Sequence, residues 1–101
     1  HLHGREVMFD LMIHYPVQVI NWHDRETPTS LEEALNKTDK ALCGGWRQWE
    51  TMVRGTPDDV FAEARQAITA SSGRRLILGT GCVTPIVAPV ANIRAARLAA
   101  G

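Results

Sequence analysis

Three short apolar runs, each closed by turn residues and followed by helix-forming sequence, constrain this chain most. Val17 to Trp22 is a β-branched run launched by Tyr15-Pro16 and closed by the polar stretch His23 to Thr29. Ala41-Leu42-Cys43 runs into Gly44-Gly45, and Arg75 to Leu78 lies between Gly73 and Gly79-Thr80-Gly81. Runs this short, bounded by turns, suit strands covered on both faces, as parallel sheets require.

Helical signals fill the gaps. Val7, Met8, Leu11, Met12 and Tyr15 fall on one face if residues 5–14 are helical. Ser30-Leu31-Glu32-Glu33 has capping-box spacing, with Ser30 as N-cap and Glu33 reaching back. In Thr56-Pro57-Asp58-Asp59, Thr56 can cap, proline suits the first helical position, and both aspartates favour the positive end of the helix dipole. Val60, Phe61, Ala64, Ala67 and Ile68 then form the stripe expected to be buried, and Gly73 follows the end. Trp46 and Trp49, three apart, can share a helix face, and Pro89 opens a last helix with Val90, Ile93 and Ala96 or Arg97 on one side. Helix, strand, helix, strand, helix, strand, helix means right-handed βαβ crossovers. The fold expected is α/β, with about three parallel strands (17–21, 41–43 and 75–78) and flanking helices. A closed (β/α)₈ barrel takes about 250 residues, so residues 1–101 are expected to form one partial domain of that type.

Composition narrows the function. Eleven Lys plus Arg balance eleven Asp plus Glu, which argues against a nucleic-acid or polyanion binder, and Arg74-Arg75 is an ordinary solvated pair. No apolar run approaches the length of about 20 residues that spans a bilayer, and no basic-then-apolar leader opens the sequence. Two cysteines, Cys43 and Cys82, make a poor disulfide framework, so a cytoplasmic location is expected. Open sheet edges lead to the expectation of a homo-oligomer, or of docking against a missing N-terminal half. A non-enzymatic half-barrel module, active only as an oligomer, fits the same pattern.

His1-Leu2-His3-Gly4 resembles a strand end, "HxHG" or "HxCG", of the uroporphyrinogen decarboxylase superfamily. Asp10-Leu11 through Tyr15-Pro16-Val17 to Asn21-Trp22, Ala41 to Gly45, Arg54-Gly55-Thr56-Pro57-Asp58-Asp59-Val60, and Gly79-Thr80-Gly81-Cys82-Val83-Thr84-Pro85 are similar to successive stretches of that family. The likeness runs over almost the whole chain in the expected order. It implies the C-terminal portion of a (β/α)₈ TIM barrel, with chemistry at the C-terminal mouth of the strands. It also implies one of two activities for the parent protein. The first is a carboxy-lyase acting on a tetrapyrrole in porphyrin biosynthesis, with no cofactor required. The second is a zinc-dependent methyltransferase acting between a corrinoid and a thiol. The 101-residue chain by itself is expected to be inactive.

The methyltransferase resemblance places His1 at the first His of that family's zinc motif, His3 at its first Cys, and Cys82 at its last Cys. His3 is a departure, and two imidazoles with one thiolate carry less negative charge than the family's set. Imidazole and thiolate both suit zinc, with a fourth position open to a substrate thiol. The lyase resemblance carries less, because Thr80 stands where true decarboxylases place a histidine in their last loop. Asp24, Arg25 and Glu26 follow a strand end, where Asp24 and Glu26 can orient a ligand or a proton and Arg25 can clamp a carboxylate. The same three also suit a solvated loop. Cys43 reads as core. No phosphate loop, nucleophile elbow or dinucleotide fingerprint is present.

Overall fold

The computed structural model describes residues 1–101. Its elements are α1 (Phe9–Met12), β1 (Val19–Asn21), α2 (Leu31–Lys37), β2 (Ala41–Trp46), α3 (Pro57–Ser71), β3 (Leu76–Thr80) and α4 (Val90–Ala99). The strands form one parallel sheet in the order β1-β2-β3. This is the α/β architecture of part of a (β/α)₈ barrel. The register sets Asn21 beside Cys43 and Cys43 beside Ile77.

Side chains alternate across a strand, and only one face of this sheet is covered. Ile20 and Leu42 are buried with Trp22, Leu31, Ala34 and Ala67, so α2 and α3 lie on that side. The opposite face carries Val19 and Ile77, 40% and 48% exposed, with half-buried Cys43 between them. Cys43 is thus not a core residue, because its register position points to the uncovered face.

The caps at Ser30 and Thr56 form as expected. The Glu33 N–H donates to Ser30 Oγ at 3.2 Å. At α3, the Asp59 N–H donates to Thr56 Oγ1 while Asp59 accepts from the Thr56 N–H, a complete capping box. Those hydrogen bonds from Thr56 hold the Asp59 carboxyl below its ordinary pKa.

Five further sequence expectations are corrected. Residues 5–14 do not form one amphipathic helix. Met8 is in the left-handed region without a side-chain cap, so α1 is a single turn. One turn can turn inward little beyond Phe9, leaving Met8, Leu11 and Tyr15 exposed. The strand at 41 does not stop at Gly44-Gly45 but continues to Trp46, and residues 48–54 are turns. The two tryptophans therefore share no helix face: Trp46 is buried with Nε1 donating to the Val60 carbonyl, and Trp49 is exposed.

In α3 the buried stripe is Val60, Glu63, Ala64, Ala67 and Ser71, with Phe61 at the margin and Ile68 exposed. Glu63 can take an inward position because Arg47 Nε approaches its Oε1 at 2.7 Å and the Arg47 N–H donates to its Oε2 at 3.1 Å. In α4 the inward residues are Asn92 and Ala95, while Val90 and Ile93 are exposed. Asn92 sets that rotation, its Nδ2 donating to the carbonyls of Met52 at 3.1 Å and Gly55 at 2.9 Å. No helix is long and apolar enough to cross a membrane.

Candidate metal centre

The sheet brings distant parts of the chain to one place. β1 ends at Asn21 and β3 at Thr80, so the turns that follow carry His23 and Cys82 away from the C-terminal ends of their strands. The Leu2 N–H donates to the Asn21 carbonyl at 2.8 Å, which lays the segment His1 to His3 against the end of β1. His1, His3, His23 and Cys82 meet there, with one donor atom from each lying within 4.8 Å of the others. His1 Nε2 and His3 Nδ1 are 3.5 Å apart. Zinc–nitrogen and zinc–sulfur bond lengths place tetrahedral ligands about 3.3–3.6 Å from one another. That pair already has the spacing, and the widest pair needs to close by about an ångström. The donors are those zinc favours, so the residues fit a metal ion.

Surrounding groups set the orientation. Asn21 Nδ2 donates to the carbonyls of Cys43 at 2.8 Å and Thr80 at 3.0 Å. Its Oδ1 therefore faces His1, and His1 Nδ1 donates to it at 2.6 Å, leaving Nε2 for a metal. This is the outer support that metal-binding histidines usually have. Gly81 matters for a different reason. A Cβ there would lie 2.6 Å from His23 Nδ1 and 2.9 Å from His23 Cα, so only glycine lets His23 and Cys82 approach. The Thr80 hydroxyl donates to the Cys82 carbonyl and shapes that turn.

The structure thus brings together His1, His3 and Cys82 and adds His23, which the sequence reading passed over as the start of a polar loop. Its position one residue past the Val17–Trp22 run, at a strand end like the others, was the available signal.

Asp24, Arg25 and Glu26 separate. Asp24 is buried, and its Oδ1 accepts from the Gly45 N–H at 3.1 Å. Arg25 turns toward α3, donating to the Gly45 carbonyl at 2.5 Å, Gln66 Oε1 at 2.9 Å and the Glu63 carbonyl at 2.9 Å. Glu26 alone stays with the cluster, its Oε2 lying 3.4 Å from His23 Nδ1. His3, Gly4, Arg5, His23, Glu26 and Thr27 line a cleft of about 430 Å³ with no hydrophobic side chain. Burial, reinforced by the Asp24 charge, pushes the Cys43 thiol above its ordinary pKa, which keeps it protonated.

Burial also raises the Asp24 pKa above 3.8, against the hydrogen bond from Gly45. The folded state then binds this proton more tightly than the unfolded state, so stability falls as pH rises from 3.8 through the folded value. Asp24→Asn keeps an acceptor for Gly45 and removes the buried charge. Urea midpoints measured from pH 4 upward are expected to lose that decline in the variant. Asp24→Ala strands the Gly45 N–H and is expected to cost about 1–3 kcal/mol.

A parallel sheet with helices between its strands, and side chains converging at its strand ends, is consistent with part of a (β/α) barrel. The chain matches the uroporphyrinogen decarboxylase (URO-D) family over residues 1–100, and it belongs to that family. Neither the curated proteins nor the solved structures contain a match to it.

Proposed function

We propose that this URO-D family chain contributes a zinc centre used for methyl transfer to a thiol, with His1, His3 and Cys82 as ligands. The convergence of these residues with His23 is the observation that carries the reading. Bound zinc would lower the pKa of a thiol and hold it as a nucleophile. The chain's own residues do the rest. Asn21 aims His1 Nε2, the Gly81 turn presents Cys82, and the polar cleft beside His3 admits the thiol. A corrinoid, when bound, would supply the methyl group and keep the electron pair of its carbon–metal bond while the thiol sulfur forms the new S–C bond. The family's lyase chemistry needs no metal, and it gives this cluster no task.

Zinc titration of the 101-residue chain tests the reading. One zinc per chain is expected, with affinity falling by about 100-fold in Cys82→Ala and in His3→Ala. A chain that binds no zinc, or binds it equally well in both variants, returns the assignment to a metal-free lyase.

A further inference from the structure

The helix-covered face of the sheet holds a carboxylate that takes no part in the metal cluster. Gly44 has the same parity in β2 as Leu42, which packs toward α2 and α3, and the missing side chain of Gly44 leaves room for Asp24. Asp24 thus enters the layer between sheet and helices, only 5% exposed. One of its oxygens is used, Oδ1 accepting from the Gly45 N–H at 3.1 Å. Oδ2 accepts no hydrogen bond, and Asp24 belongs to none of the ion pairs. No fully buried side-chain oxygen in the chain lacks a partner, so Oδ2 keeps an opening to solvent. Buried carboxylates are ordinarily paired. This one offers a strong acceptor to a donor from outside the chain.

Asp24 lines a cleft of about 450 Å³ between α2 and α3. Three carboxylates, those of Asp24, Glu32 and Glu33, line it against the one guanidinium of Arg25. That guanidinium is already committed, donating to the Gly45 and Glu63 carbonyls and to Gln66 Oε1. No basic group is left over to receive an anion, so the cleft selects a cation. Its apolar lining comes from Leu31, Ala67 and Ala70, which suits a short hydrocarbon. A hard metal ion takes about six to eight oxygens, and Asp24 has one to give. We propose that this cleft binds a short aliphatic diamine, one ammonium donating to Asp24 Oδ2 and the other held at the rim by Glu32 and Glu33. The site is independent of the metal reading above.

The probe is 1,4-diaminobutane titrated into the full chain at neutral pH and followed by backbone amide shifts, because the Gly45 N–H is bonded to Asp24 and reports on it directly. One saturable site is expected, with the largest changes at Gly45 and in the first turn of α2. Asp24→Asn keeps the bond from Gly45 but turns amide hydrogens toward the cleft, and it is expected to weaken binding at least about tenfold. Glu32→Gln, at an exposed position, should weaken it about two- to fivefold, and 1-aminobutane, which lacks the second charge, should bind less tightly than the diamine by a similar factor. Ala70→Phe keeps every charge and fills the cleft, so it is expected to abolish saturable binding. Cys82→Ala should bind the diamine as the wild type does, which separates this site from the metal cluster. Shifts that never saturate, or an Asp24→Asn chain that binds as tightly as the wild type, overturn the inference. So does magnesium chloride at matched ionic strength if it produces the same changes at Gly45, since charge screening alone would then account for them. If Asp24→Asn fails to fold, Ala70→Phe decides, and undiminished saturable binding in that variant overturns the inference as well.

Discussion

Trp22→Ala is expected to remove a large share of the chain's stability, seen as a urea midpoint far below that of the wild type. Trp22 is fully buried, its ring centroid lies 4.7 Å from that of Phe9, and its Nε1 donates to the Thr29 carbonyl at 2.8 Å. Removing such a side chain costs about 3–5 kcal/mol. A small domain holds only about 5–15 kcal/mol in total, and this sheet is covered on one face. Trp22→Phe keeps most of the contact and loses the hydrogen bond. It should fold with a loss of about 1–3 kcal/mol. A Trp22→Ala chain with a wild-type urea midpoint would show that the core lies elsewhere.

Glu63→Ala is the second large effect. Glu63 is a buried carboxylate in contact with Arg47 at 2.7 Å and 3.9 Å from Arg25. Removing it leaves the Arg47 N–H and guanidinium without their acceptor beside α3. Breaking a fully buried pair costs about 3–5 kcal/mol. The Arg47 side chain is 46% exposed and water can replace part of the contact, so about 2–3 kcal/mol is expected here. Glu63→Gln retains an acceptor for the Arg47 N–H and should cost less than half as much. Equal urea midpoints for the alanine variant and the wild type would mean that the carboxylate contributes nothing to folding.

The parallel order of the strands and the two capped helices were legible in the sequence because each depends on local chemistry, whereas His1, His3 and Cys82 were singled out by the family resemblance alone. Ser30 and Thr56 cap with their own neighbours, and β-branched runs between turn residues are strands wherever they dock. The errors fell where a distant partner decides. α4 turns on the contacts of Asn92 with Met52 and Gly55, which no periodicity displays. Glu63 faces inward because of Arg47, and it shifts the buried stripe away from Ile68. Gly44-Gly45 looked like a stop but allows β2 to continue, since Gly44 leaves room for Asp24, whose carboxylate oxygen would lie 2.3 Å from a Cβ. His23 was missed for a related reason. Its meaning comes from Gly81, which lies 58 positions later in the chain and directly against it in space.

Asn21 has one more consequence. Its amide nitrogen spans the carbonyls of Cys43, midway along β2, and of Thr80 at the end of β3, and its oxygen receives the proton of His1 Nδ1. The tautomer of His1 is therefore written into the alignment of three strands rather than into the histidine itself. A slip of one residue in β1 would carry the Asn21 side chain to the other face of the sheet. His1 would then be free to exchange its two neutral tautomers, one of which turns its Nε2 lone pair into an N–H and so takes it from the cluster. Aspartate in place of Asn21 has the same shape but no donor, so it would set a carboxylate against two carbonyl oxygens. The nitrogen that His1 offers and the alignment of the three strands are tied to the same few atoms.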